Sequence, residues 1–231
     1  MKPFLTARQR IALALSAMVA FGVAGGLLFG PVWGFAGAAA GPVIAVAVEV
    51  ACWSIVAPDG SKLLKAGEPH RALQVLNPKV ATTRGLAGQF PSTFRDALAS
   101  YLLARSDALR MLGRYPQALD DATEAAEIFQ GYVIAGRKRY ADSLAYGRYR
   151  QAELLSSMSR HGEALAAALG AGRLYRELAA SDPDYLASLA ESLELQADTL
   201  GYLDRPGEAS AAAAEAALIR SDKVPGAPSG A

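Results

Sequence analysis

The chain has one cysteine, Cys52, among 231 residues. A single cysteine excludes an intrachain disulfide and any zinc site built on paired thiolates. The only two histidines, His70 and His161, stand far apart, too few and too distant for catalysis by a histidine cluster. An excess of either charge is also missing. Against 22 Asp and Glu there are 23 Lys and Arg, a formal net charge of +1, which leaves no basic footprint for nucleic acid. No phosphate-cradling loop is present: the cluster Gly22, Gly26, Gly30 lies in an uncharged stretch without the Lys and Ser/Thr such a loop needs. No residue is therefore assigned as catalytic, cofactor-binding or metal-ligating, and the chain reads as a non-enzyme. What is abundant is alanine, about a fifth of the chain against a much lower ordinary usage. With aromatics at 8%, this composition favours helix over sheet and an all-α protein.

Charge is absent altogether from Ile11 to Val48, and residues 1–57 carry only Lys2, Arg8, Arg10 and Glu49. The run exceeds the ~20 apolar residues of one membrane crossing, and Gly30-Pro31 interrupts it where a turn is needed. The pattern predicts a transmembrane hairpin, residues 1–57, with spans at 11–29 and 32–57 meeting the lipid bilayer. Trp33 and Trp53 bracket the second span at about 30 Å of helix, the hydrocarbon thickness. Basic residues precede the first span and follow the second, at Lys62, Lys65, Arg71, Lys79 and Arg84. This asymmetry predicts a multi-pass protein of the inner or cell membrane with both termini cytoplasmic. Gly22, Gly26 and Gly30 recur one turn apart, as do Gly37 and Gly41, on faces where backbones approach closely. They serve either to pack the hairpin on itself or to join copies. Glu49, the ionisable group of the spans, is either a functional carboxylate or one resting near the headgroups.

Residues 58–92 form a junction with Pro58, Pro69, Pro78 and Pro91, through which long helices are not expected to run. After Ser92 the chain repeats with a period of about 45 residues. Leu112-Gly113-Arg114-Tyr115-Pro116-Gln117-Ala118-Leu119 returns as Met158-Ser159-Arg160-His161-Gly162-Glu163-Ala164-Leu165, then as Leu203-Asp204-Arg205-Pro206-Gly207-Glu208-Ala209-Ser210. The columns Phe94, Tyr140, Tyr185; Leu98, Leu144, Leu189; and Leu109, Leu155, Leu200 keep the same spacing. Each unit divides into two helices: 93–111 and 115–130, 138–157 and 161–179, 183–202 and 206–221. Gly113, Gly162 or Gly207 is expected at the hinge, and small residues Ser106, Ala152 and Ala197 within the first helix. A half-unit at 61–76 is suggested by Gly67 and Ala72-Leu73, with Pro78 expected to cut its second helix short. Residues 223–231 are Pro, Gly, Ser and Ala after Lys223 and Val224, a tail expected to be disordered.

The hinge Leu112-Gly113-Arg114 followed by Ala118-Leu119, the small residues Ser106, Ala152 and Ala197, and the apolar Leu109, Leu155 and Leu200 resemble the tetratricopeptide repeat (TPR) family. The long period is similar to the extended repeats of kinesin-light-chain type and to bacterial arrays. The resemblance covers 93–222 and implies an α-α superhelix of about three helix pairs that binds a protein or peptide. Arg105, Gln151 and Gln196 depart from it, standing where the family has an apolar residue.

Asp107, Glu153 and Asp198 share one phase of the three first helices, the phase that in the family faces the ligand. Stacked, they would form an acidic ladder suited to a basic peptide, and they are the candidate partner-binding groove. The alternative, solvated charge balanced locally by neighbours such as Arg110, is the reading the residues favour. The function expected is a non-catalytic, membrane-anchored interaction scaffold without cofactor. The runner-up is a membrane-embedded oligomer of transport or channel type, assembled through Gly22, Gly26 and Gly30 and gated by the repeats.

Overall fold

The computed structural model describes residues 60–222. The chain divides into two units, Met1–Lys62 and Leu63–Ala231, and the helical array is the second. The described helices are α1 (Gly60–Lys65), α2 (Pro69–Gln89), α3 (Pro91–Met111), α4 (Tyr115–Ile134), α5 (Ala141–Ser157), α6 (His161–Ala179), α7 (Leu186–Tyr202) and α8 (Pro206–Asp222). Short 3-10 turns, Lys138–Tyr140 and Pro183–Tyr185, lead into α5 and α7. No strand occurs among the described residues.

Proline at or next to the first position opens α2, α3 and α4, where its missing N–H is no loss and its fixed φ suits the helix. α3 begins at Pro91, so Ser92 and Thr93 lie inside its first turn rather than before it. Asp182 does cap, its side chain accepting from the Asp184 N–H at 3.0 Å.

Four turns within the helix pairs are built alike. At Gly67, Gly113, Ser159 and Asp204 the backbone takes φ of 73°, 70°, 59° and 56°. After Gly113, the Arg114 N–H reaches back to the Leu109 carbonyl at 2.9 Å and the Gly113 N–H donates to Arg110 at 2.9 Å. The same two bonds recur at Gly67 (to Leu64) with Glu68 (to Leu63), at Ser159 (to Ser156) with Arg160 (to Leu155), and at Asp204 (to Gly201) with Arg205 (to Leu200). This is the Schellman termination, which satisfies the last carbonyls of a helix. The left-handed residue is thus Ser159 or Asp204, not Gly162 or Gly207; those glycines sit in the first turns of α6 and α8. A side chain in the left-handed region costs about 1 kcal/mol that glycine avoids. Ser159→Gly is therefore expected to raise unfolding stability by about 0.5–1 kcal/mol in urea titrations; a loss would show that the hydroxyl matters more than the backbone.

From α2 onward each helix packs on the next in sequence, and the first helices of neighbouring pairs, α3 with α5 and α5 with α7, also touch. The backbones of the second helices α2, α4, α6 and α8 stand farther apart and do not come into close contact. First helices therefore line the tighter, inner side of the array, and second helices the outer side. The wider outer spacing is bridged by long side chains: Arg84 of α2 pairs with Glu124 of α4, and Arg176 of α6 with Glu215 of α8. Both pairs occupy the same columns of the repeat; between them stand Gln130 and Gly170.

The core is a chain of small clusters instead of one centre, as stacking requires. Leu98, Leu102, Leu103, Ala125, Ala126, Phe129 and Leu144 form one, Leu76, Leu109, Ala118, Ala122 and Leu154 another, and Ala145, Ala171, Tyr175, Leu189 and Leu193 a third. Ser106 and Ala152 are fully buried, so helices approach closely there, whereas Ala197 of the last pair is half-buried. The departures Arg105, Gln151 and Gln196 are buried or partly so, and each finds a partner. Arg105 grips Asp121 through Nε and Nη2 at 2.7 and 2.6 Å, Gln151 donates to Thr123 at 3.0 Å, and Gln196 to the Ala168 carbonyl at 3.1 Å.

Two expectations need correction. α2 runs unbroken from Pro69 to Gln89 through Pro78. Pro78 and Gln74, whose carbonyl loses its helix partner, both face solvent, where water replaces the missing bond. The expected inner-membrane localisation, with two spans and both termini cytoplasmic, is not supported: no helix of the described residues is long and apolar enough to cross a membrane. These helices are amphipathic, with charged side chains recurring along them, which breaks every apolar run. The segments 11–29 and 32–57, with Gly22, Gly26, Gly30, Glu49 and Cys52, and the tail 223–231 lie outside the described residues.

Candidate functional site on the inner helices

Asp107 of α3, Glu153 of α5 and Asp198 of α7 hold equivalent places, but the structure treats them differently. Asp107 and Glu153 converge on Arg150, one turn before Glu153 on α5. The Arg150 Nε lies 2.7 Å from Asp107 Oδ1. Its Nη1 donates to Glu153 Oε2, and Arg110 Nε stands 3.9 Å from that same oxygen. Tyr146 completes the cluster: its hydroxyl donates to Asp107 Oδ2 at 2.6 Å and accepts from Arg150 Nε and Nη2 at 2.9 and 2.7 Å. The guanidinium also lies over the rings of Tyr146 and Tyr149, 4.8 and 5.6 Å from their centroids. Asp198 is exposed and has no ion pair among the described residues.

The electrostatics follow from this enclosure. Burial opposes the Arg150 charge, but Asp107, Tyr146 and Glu153 more than offset it, so the guanidinium is held above its ordinary range. Burial, then Asp107, pushes the Tyr146 hydroxyl well above the usual tyrosine range. Tyr149 is raised by burial and by Glu153 and Glu191. Tyr175 beneath is raised chiefly by burial. The Tyr146 hydroxyl stays protonated and donates to Asp107.

The acidic ladder is therefore uneven. Two rungs are neutralised within the protein, while on α7 Glu191 and Asp198 face solvent with no ion pair among the described residues. Glu194 of α7 pairs instead with Arg220 of α8. Replacing Asp107 by Asn and Glu153 by Gln is expected to strand Arg150 and lower the thermal midpoint. Asp198→Asn is expected to leave stability within about 0.5 kcal/mol. Equal midpoints for the two variants would contradict the cluster's role.

The sequence pattern passed over Arg150 and Tyr146. The signal was a broken column: Arg150 stands where the neighbouring units have Ala104 and Leu195, and Tyr146 where they have Ser100 and Glu191. The histidines do not join the site. His70 is exposed on α2, and His161 stacks on Tyr202 with ring centroids 4.5 Å apart. Among the described residues no group of three His, Cys, Asp or Glu side chains is arranged to hold a metal ion.

No protein-family model matches the chain, and no curated protein matches it. Among solved structures, BtubC (BKLC) from P. vanneervenii is similar at 14% sequence identity, over 98% of this chain and 97% of that one, with a TM-score of 0.39. That likeness is too distant to transfer residues, ligands or activities.

Proposed function

We propose that the chain is a non-catalytic interaction scaffold of TPR-like helix pairs that holds a protein or peptide partner on the inner helices α3, α5 and α7. The observation that carries the reading is the recurrence of one hinge at Gly67, Gly113, Ser159 and Asp204, which stacks successive first helices side by side on one face. Such a stack offers an extended surface built from one side chain position per unit, and no preformed reaction centre. The Arg150 cluster stiffens the middle of that face. Glu191 and Asp198, with the ring of Tyr149 nearby, supply the uncompensated charge and an aromatic contact, so the matching partner segment is basic.

The partner captured by the full chain should bind less tightly as salt rises, because the screening length falls from about 10 Å at 0.1 M to about 3 Å at 1 M. Glu191→Gln with Asp198→Asn should weaken binding about tenfold, roughly 1.4 kcal/mol, with the thermal midpoint unchanged. Binding that ignores both salt and the double substitution would place the partner elsewhere.

A further inference from the structure

The array is least regular where α2, α3 and α4 meet and α4 passes into α5. Aligned on the short turns, Arg137-Lys138-Arg139-Tyr140 stands where the next unit has Asp182-Pro183-Asp184-Tyr185 and the preceding one Pro91-Ser92-Thr93-Phe94. One linker is thus basic, the next acidic and the first neutral. Within α4, Tyr132 occupies the column of Leu86 and Leu178. In α2, Gly88 occupies the column of Ile134.

A cleft of about 630 Å³ lies here, between the ends of α2 and α4 and the start of α3. Ala87, Leu98 and Ile128 give it an apolar floor, and Arg84, Arg95, Arg137, Glu124 and Glu127 give it charge. Arg84 is spent on Glu124. Arg95 and Arg137 are exposed and take part in no ion pair among the described residues. Arg137 lies over the Tyr132 ring at 5.0 Å, Tyr132 stacks on Tyr140 at 4.8 Å, and Arg139 lies over Tyr140 at 4.8 Å. Stacking fixes the plane of a guanidinium and leaves its N–H edge for an oxyanion. The Gly136 turn, φ 80°, sets this geometry, since the Arg137 N–H is tied back to the Tyr132 carbonyl at 2.9 Å. Arg95 and Arg137 both line the cleft; burial, then Asp96, raises the Tyr132 hydroxyl, while Arg137 and Arg95 act in the opposite sense.

We infer that this cleft binds a phosphate monoester on a small apolar body, the oxyanion between Arg95 and Arg137 and the body on Leu98 and Ile128. The charge matches: Arg95 and Arg137 with the adjoining Lys138 and Arg139 outweigh Glu127 and Asp96 by two, against about −1.5 to −2 for a phosphate monoester at neutral pH. A monocarboxylate would leave one cation uncompensated. The arginine fork suits tetrahedral oxyanions, which it meets with two parallel N–H bonds. The site lies away from the Arg150 cluster and does not depend on the inner face binding a partner.

Calorimetric titration of the full chain with phenyl phosphate tests this. Saturable binding is expected, at least tenfold tighter than inorganic phosphate and than benzoate. Arg95→Gln with Arg137→Gln should reduce it at least tenfold, while Arg176→Gln, which removes the equivalent outer ion pair, should leave it unchanged. Gly88 lines the cleft, and Gly88→Ile removes no charge and meets no atom within 4 Å of its Cβ, so it should fold normally, narrow the cleft and weaken binding. Absence of phenyl phosphate binding, equal affinity for inorganic phosphate or benzoate, or full binding to Gly88→Ile would overturn the assignment. Circular dichroism of each variant confirms that lost affinity is not lost fold; if the double arginine variant unfolds, Gly88→Ile decides alone.

Discussion

Phe129→Ala is expected to lower unfolding stability by about 3–5 kcal/mol. Phe129 is 1% exposed and belongs to the cluster with Val80, Leu98, Leu102 and Leu103, so its ring joins α2, α3 and α4 in one contact. Much of that cluster's wall is alanine, at Ala87, Ala99, Ala125 and Ala126. Alanine has no rotamers with which to fill a void, so the cavity stays open and its full cost is felt. The neighbouring unit has Tyr175 in the same column, also buried, which allows a control: Phe129→Tyr should cost much less than Phe129→Ala. Chemical denaturation of the three proteins measures both differences. A loss below about 1 kcal/mol for the alanine variant would mean that the cluster collapses around the gap.

Removing Arg105 should be about as damaging, for a different reason. Its fork holds both oxygens of Asp121, which is 5% exposed. The Asp121 hydrogen bond and charge hold the Arg105 guanidinium above its ordinary range against the burial that opposes its charge. Arg105→Met leaves that carboxylate buried without a counter-charge, at a cost of about 3–5 kcal/mol. Changing both partners, Arg105→Met with Asp121→Leu, removes the stranded charge and should recover most of the loss, because an apolar pair of similar volume packs about as well. If the double variant is no more stable than Arg105→Met, the pair contributes through its shape and not through its charge.

The helix pairs were legible because packing writes itself into periodic columns. Leu98, Leu144 and Leu189, and Leu109, Leu155 and Leu200, are all buried, since each lies at the same point of a repeated contact. The hinge at Gly113 stands where the pattern put it, whereas the next two fall at Ser159 and Asp204, three residues before the expected Gly162 and Gly207. Glycine marks a left-handed turn only where nothing else supplies it, and the backbone bonds of the Schellman turn hold Ser159 and Asp204 there without glycine. Pro78 misled for a related reason: a proline breaks a helix through a lost hydrogen bond, and the loss is small where the bereft carbonyl faces water. The Arg150 cluster was not legible from the acidic column alone. Charges read along one helix face look unopposed, yet the cation that neutralises them comes from a different column and reaches across to the neighbouring helix. The basic linker was invisible for the opposite reason, since Arg137-Lys138-Arg139 gains meaning only beside Tyr132 and the cleft at the ends of α2 and α4.

The central claim is that a partner lies along the inner helices, and site-specific photo-crosslinking tests it most directly. A benzophenone amino acid is placed at position 198 on α7, in the inner column of Asp107 and Glu153, and in a second protein at position 211, on the exposed side of the outer helix α8. After irradiation in the source cell, a discrete higher-mass adduct is predicted from position 198 and none from position 211. Adducts from position 211 alone, or equally from both, would contradict the account.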